Sequence, residues 1–133
     1  MNILVVEDEP ALRQTISMAL TSCGHDTQGA ETGIEALLCV QESTPELVIL
    51  DLQLPEMDGW EFLRQFRALP GCADVPVMVT SAAHRVVSTE LDAQAFLPKP
   101  FDLDELLDLV DELLAETSRV NGPDGPHPVG ATT

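Results

Sequence analysis

The sequence predicts an α/β fold, a five-stranded parallel sheet with helices on both faces. Two observations carry that prediction. Short apolar runs alternate with stretches of helical periodicity, and the alternation repeats five times. The apolar runs are also nearly continuous, as strands buried on both faces require. The length of 133 residues suits one domain with a proper core.

Residues 2–6, NILVV, form the first strand, and 10–23, PALRQTISMALTSC, a helix with Pro10 in its first turn. Gly24 stops that helix, and a short polar strand follows near 26–30. Thr32 and Glu35 have capping-box spacing for a second helix over 33–43, which Pro45 ends. ELVIL, 46–50, is the third strand. Asp58 and Glu61 repeat the cap for a helix over 58–69, broken by Pro70-Gly71. Gly59 suits a left-handed turn after Asp58. PVMVTS, 76–81, is the fourth strand, and a weaker helix is expected around 84–92. Ala95-Phe96-Leu97 is the fifth strand. Asp102 caps a last helix over 103–116, where Leu103, Leu106, Leu107, Val110, Leu113 and Leu114 recur at helical spacing as a core stripe. From residue 118 the chain reads SRVNGPDGPHPVGATT, with three Pro and three Gly in sixteen residues. Such a stretch supports no packed element, so 1–117 is expected to be the folded domain and 118–133 a flexible tail or the start of a linker.

Charge excludes several functions. Against 23 acids there are 6 bases, giving −17. That surface repels phosphate backbones and anionic lipid, so no direct nucleic-acid or membrane binding is expected. The longest apolar run, Ala36 to Val40, is too short to span a bilayer. Cys23, Cys39 and Cys72 are odd in number and lack C-x-x-C spacing, which fits reduced thiols in a cytoplasmic protein. His25, His84 and His127 are scattered without ligand spacing, and neither a G-x-G-x-x-G nor a P-loop is present.

An open α/β sheet binds ligands beyond the carboxyl ends of its strands. The first strand ends on Glu7-Asp8, the third on Asp51, the fourth on Thr80-Ser81 and the fifth on Lys99-Pro100, with Lys99 the only lysine in the chain. Three carboxylates, two hydroxyls and one ammonium therefore share one edge. Alone, the acids would repel one another.

VVEDEP, ILDLQLPEMDG, VTS and LPKPF, in that order, resemble the receiver domain of bacterial response regulators over residues 1 to 117. The resemblance implies a flavodoxin-like sheet of order 2-1-3-4-5. It implies that Asp51 is the phosphoacceptor, taking a phosphoryl group from a phosphohistidine on a histidine kinase or histidine phosphotransfer protein. Asp8, Asp51 and the backbone carbonyl of Gln53 would ligate Mg²⁺, and Glu7 would hold a metal-bound water, with direct ligation also open to it. Lys99 would pair with Asp51 before phosphorylation and with a phosphoryl oxygen after it. Thr80 would donate its hydroxyl to another phosphoryl oxygen, and Phe96 stands at the switch position. Lys99-Pro100 is the family's place for a cis peptide. The chain would then be a signalling protein, not an enzyme, that assists its own aspartyl phosphorylation and dephosphorylation.

One departure concerns the stretch between Thr80 and Lys99, which is shorter than the family usually carries. The shortfall falls in HRVVSTELDAQ, so 83–92 is expected to hold at most a short or frayed fourth helix. Asp92 also stands where a glycine is common. The last helix, DLDELLDLVDELLAE, has acids and no base, which predicts a monomer. No helix-turn-helix or catalytic output domain is visible, so a single-domain phosphoacceptor is expected. Two other readings are a receiver-like interaction module independent of phosphorylation and an aspartyl phosphatase. The complete acid set with Thr80 and Lys99 argues against the first. The absence of a D-x-D arrangement argues against the second.

Overall fold

The computed structural model describes residues 1–81 and 93–121, with side chains to 116 in the last helix. In chain order the elements are β1 (Asn2–Val6), α1 (Pro10–Ser22), β2 (Asp26–Ala30), α2 (Gly33–Glu42), β3 (Leu47–Asp51), α3 (Gly59–Ala68), β4 (Val77–Ser81), β5 (Ala95–Pro98) and α4 (Leu103–Asn121). The five strands form one sheet of order β2-β1-β3-β4-β5, with every neighbouring pair parallel. This is the sheet order the resemblance implied. The weaker helix expected around 84–92, its shortening and Asp92 lie outside the described residues.

Alternation along each buried strand divides the core in two. Ile3, Val5, Leu47, Ile49 and Met78 face α1 and α4, where they meet Ile16, Leu20, Leu106 and Val110. Leu4, Val6, Val48, Leu50, Val77 and Val79 face α2 and α3, against Ala36, Val40, Phe62 and Phe66. The Phe62 and Phe66 rings stack with centroids 5.6 Å apart. Each such side chain contributes roughly 1.5–3 kcal/mol by leaving water. The leucine stripe of the last helix is core as expected, since Leu106, Val110, Leu113 and Leu114 are all buried. β2, DTQGA, is the polar edge strand.

Helix ends follow local chemistry. Gly24, at φ +91°, closes α1: its N–H donates to the Thr21 carbonyl and that of His25 to Leu20, a Schellman arrangement. Thr32 and Asp58 cap α2 and α3 by accepting from the N–H groups of Glu35 and Glu61, at 3.0 and 2.9 Å. Only that arm of each expected capping box forms. Glu35 reaches the Glu31 N–H, and Glu61 turns to Arg64 and Gln65. At α4 the other arm forms instead, with Glu105 accepting from the Asp102 N–H at 3.3 Å.

Two expectations are corrected. α4 runs to Asn121, past the residue 116 at which the helix was expected to end. The first breaker in that stretch is Gly122, and Ser118 to Asn121 contain nothing that stops a helix. Gly59 is not left-handed; in that turn Glu56 carries the positive φ, 68°. Glycine is required at 59 because the chain passes close by. A Cβ there would lie 2.6 Å from Leu52 Cα and 2.9 Å from the Asp51 carbonyl oxygen.

This contrast sets a test. Gly59→Ala should cost about 1–3 kcal/mol in urea unfolding, because overpacking against backbone outweighs alanine's better helix propensity of ~1 kcal/mol. It should also move the backbone resonances of Asp51. Gly24→Ala, which meets no atom within 4 Å, should destabilise through its positive φ while leaving the Asp51 resonances in place. Unmoved Asp51 resonances in Gly59→Ala would refute the close-approach account.

Candidate functional site

Sheet register builds the site. Val6 pairs with Leu50, Asp51 with Thr80 and Ser81 with Pro98, which brings the strand ends to one edge. Ladder bonds continue past these pairs. The Glu7 N–H donates to the Ala30 carbonyl at 3.0 Å, Leu52 to Thr80 at 3.3 Å and Lys99 to Ser81 at 2.9 Å. The polar residues are thus held by sheet hydrogen bonds at the point where the apolar strands run out.

One carboxylate oxygen from each of Glu7, Asp8 and Asp51 lies within 4.8 Å of the other two. Glu7 and Asp51 are 2% and 3% exposed, while Asp8 is open to solvent. The Lys99 ammonium donates to Glu7 Oε1 at 3.0 Å and to Asp51 Oδ2 at 3.1 Å. Asp51 Oδ1 accepts from the Gln53 N–H at 3.0 Å, and Glu7 Oε2 from the Glu9 N–H at 3.3 Å. Thr80 is buried on the strand beside Asp51, and Phe96 is half-buried against the α2–α3 side of the core. The Lys99-Pro100 peptide is cis.

Burial pushes the Glu7 carboxyl above its ordinary range; repulsion from Asp51 adds to this, and the Lys99 hydrogen bond opposes it. For Lys99, burial alone would lower the ammonium's pKa. Its hydrogen bonds to Glu7 and Asp51 outweigh that and hold it above the ordinary lysine value. Lys99 is therefore charged at neutral pH.

These residues suit a hard divalent cation. All three donors are carboxylate oxygens. Two of them are fixed by burial and the third faces water, which leaves room for the waters that Mg²⁺ retains. The structure brings Glu7, Asp8, Asp51 and Lys99 into one cluster, with Thr80 beside it.

Three interactions here have no counterpart in the sequence reading: the Glu7–Lys99 bond, the Gln53 N–H on Asp51, and Arg13. The Arg13 Nη1 donates to the Glu7 carbonyl at 2.7 Å. Only the second had a local signal, since an aspartate often accepts from the N–H two residues on.

The family model described as the response regulator receiver domain matches residues 3–111. Response regulator MprA of Mycobacterium sp. (strain KMS) is 38% identical over 128 residues, 93% of this chain and 55% of that protein. The DNA-binding dual master transcriptional regulator RpaA of Synechocystis sp. (strain ATCC 27184 / PCC 6803 / Kazusa) is 34% identical over 122 residues, 89% of this chain and 51% of that protein. The chain thus spans about half the length of these curated relatives. Among solved structures, it is similar to the receiver domain of sensor histidine kinase PA1611 from Pseudomonas aeruginosa PAO1, which holds a magnesium ion coordinated in its active-site cleft. That match has 26% identity and a TM-score of 0.78, covering 86% of this chain and 97% of the other.

The Glu7 shift gives a pH dependence. A carboxyl whose folded pKa is raised binds its proton more tightly when folded, so its ionisation costs stability. The favourable state persists below the ordinary glutamate value of 4.5 and is lost as pH rises through the raised folded value. In chelator, the unfolding free energy of wild type relative to Glu7→Gln should therefore fall as pH rises from 4.5 to neutrality. Parallel pH profiles for the two proteins would exclude Glu7 as the source.

Proposed function

The chain belongs to the response regulator receiver family, and from that membership we propose that Asp51 is the phosphoacceptor of a two-component pathway. One observation supports this best: a buried acid at a strand end, held by an ammonium and facing a second, exposed acid. A carboxylate is a weak nucleophile, so the protein's contribution is position and charge. An Asp51 carboxylate oxygen attacks the phosphorus of a partner's phosphohistidine. The O–P bond forms as the P–N bond breaks, and the departing imidazole nitrogen takes up a proton.

Asp8, Asp51 and the Gln53 carbonyl would hold Mg²⁺, with Glu7 on a metal-bound water; the cation supplies charge neutralisation at the phosphoryl oxygens. Lys99, already 3.1 Å from Asp51 Oδ2, passes to a phosphoryl oxygen once the acyl phosphate forms. The Thr80 hydroxyl donates to another, and Phe96 responds on the neighbouring strand.

The partner is a histidine kinase or histidine phosphotransfer protein, met in the cytoplasm. Among the described residues no helix is long and apolar enough to cross a membrane. RpaA is DNA-binding by name, but this segment's −17 charge opposes a phosphate backbone, so DNA contact is not assigned to it. The exposed side of α4 presents Asp104, Glu105, Asp108, Asp111, Glu112 and Glu116. Two copies meeting symmetrically there would oppose like charges.

With acetyl phosphate and Mg²⁺ the protein should gain one acid-stable, base-labile phosphoryl group, and Asp51→Asn none. Asp8→Ala should slow labelling by about 10²-fold or more. Normal labelling of Asp51→Asn would overturn the acceptor assignment, and equal rates with and without chelator the metal role. A wild type that never labels would favour the phosphorylation-independent interaction module. With beryllium fluoride as a stable phosphoryl mimic, sedimentation should show a monomer; a symmetric dimer on α4 would contradict the charge argument.

A further inference from the structure

Arg13 stands in the first turn of α1 and ties down the acidic loop twice. Its backbone N–H donates to the Glu9 carbonyl at 2.9 Å, and its guanidinium Nη1 to the Glu7 carbonyl at 2.7 Å. Between those two anchors lies Asp8. The Glu7 and Asp51 carboxylates are fixed by hydrogen bonds from Lys99, Glu9 and Gln53. Asp8 is exposed, and among the described residues nothing donates to its carboxylate. Its place in the cluster therefore depends on its backbone.

The stem of Arg13 needs a seat to reach Glu7, and β2 provides one. Gly29 pairs with Val5 in mid-strand, where glycine weakens a strand and its φ is not positive. A Cβ at 29 would lie 3.1 Å from Arg13 Cδ and 3.5 Å from Cγ and Nε. The missing side chain is where Arg13 passes.

We propose that Arg13 is a positioning residue for the metal-binding acid Asp8. By holding the Glu7 carbonyl it fixes the Glu7–Asp8 peptide and so aims the Asp8 carboxylate at Asp51. Gly29 is the notch that admits its side chain. The proposal rests on the metal reading of the site given above. It is distinct from direct ligation, since among the described residues the guanidinium's hydrogen bond goes to a backbone oxygen. Groups that orient metal ligands in this way typically govern affinity by 10–100-fold.

The test uses the full chain, with Mg²⁺ titrations followed by NMR and, separately, metal-free amide exchange at Asp8 and Glu9. Arg13→Met removes the donor and keeps an apolar stem. Gly29→Val leaves Arg13 intact but fills its seat, while raising strand propensity. Both should weaken Mg²⁺ binding by about tenfold or more and speed exchange at Asp8 and Glu9. Urea stability should be unchanged or higher in Gly29→Val. Arg13→Lys, which keeps a donor, should recover part of the affinity. Unchanged Mg²⁺ affinity and exchange in both Arg13→Met and Gly29→Val would overturn the proposal. So would losses that merely track global stability. Should wild type and Asp8→Ala fail alike to bind Mg²⁺, the metal reading falls; the metal-free exchange rates then decide Arg13's role alone.

Discussion

One ammonium shared between two buried carboxylates is the interaction on which the site depends. Glu7 and Asp51 sit at the rim of an apolar sheet, with Asp8 within 4.8 Å and Lys99 as their one ammonium. At that separation a like-charged pair repels by about 3–4 kcal/mol at an effective dielectric constant of 20. The Lys99 contacts at 3.0 and 3.1 Å offset that repulsion, but burying Glu7 and Asp51 adds a desolvation cost that one shared ammonium does not cancel at Glu7. A single lysine therefore does not balance three acids, and the cluster costs stability in the absence of a further cation. In the proposed function its presence is explained by the cation it would hold. The raised Glu7 carboxyl is the local sign of the same imbalance.

The sheet makes that arrangement possible, because parallel ladders fix where each strand ends. Rigidity also comes from close approaches around the rim that only glycine allows. Gly59 lets α3 close on the Asp51–Leu52 backbone, and Gly29 seats Arg13. At Gly33 a Cβ would fall 2.9 Å from Met57 Sδ, so the loop after Asp51 is wedged against the start of α2. Three walls of the site are each held by a contact in which one partner has no side chain. Packing of this kind transmits displacement well, since a small shift at the rim has no slack to absorb it.

Strand identities and the polar residues at their ends were legible in the sequence, because a buried parallel strand reads as an apolar run whose first acid marks the edge. Asp51 in VILD and Glu7 in LVVE show this directly. The caps at Thr32 and Asp58 were legible for the same local reason. What could not be read depends on chain segments meeting from a distance. The Glu7–Lys99 bond spans 92 residues, and neither residue signals the other. Gly59 has the composition of a turn, and only the proximity of Leu52 reveals its steric role. The reach of α4 to Asn121 is not legible in the tail's composition, because its proline and glycine begin only at Gly122.

Register also constrains how a change at Asp51 would be felt elsewhere. Thr80 pairs with Asp51 on one side and with Leu97 on the other, while Val79 pairs with Phe96. Leu97 and Phe96 point to opposite faces, Leu97 into the α1–α4 core and Phe96 against the α2–α3 core. In the proposed function, drawing Thr80 toward a phosphoryl oxygen pulls β4 against β5, and the two faces respond unequally. Leu97 is buried among packed neighbours and has little room. Phe96 is half-buried at the border of the core and less enclosed. The ring lacks a hydroxyl, so no outward hydrogen bond fixes either position, and packing alone sets its preference. Transmission then runs from a charge at the sheet edge, through one strand pair, to an aromatic ring at the border of the core.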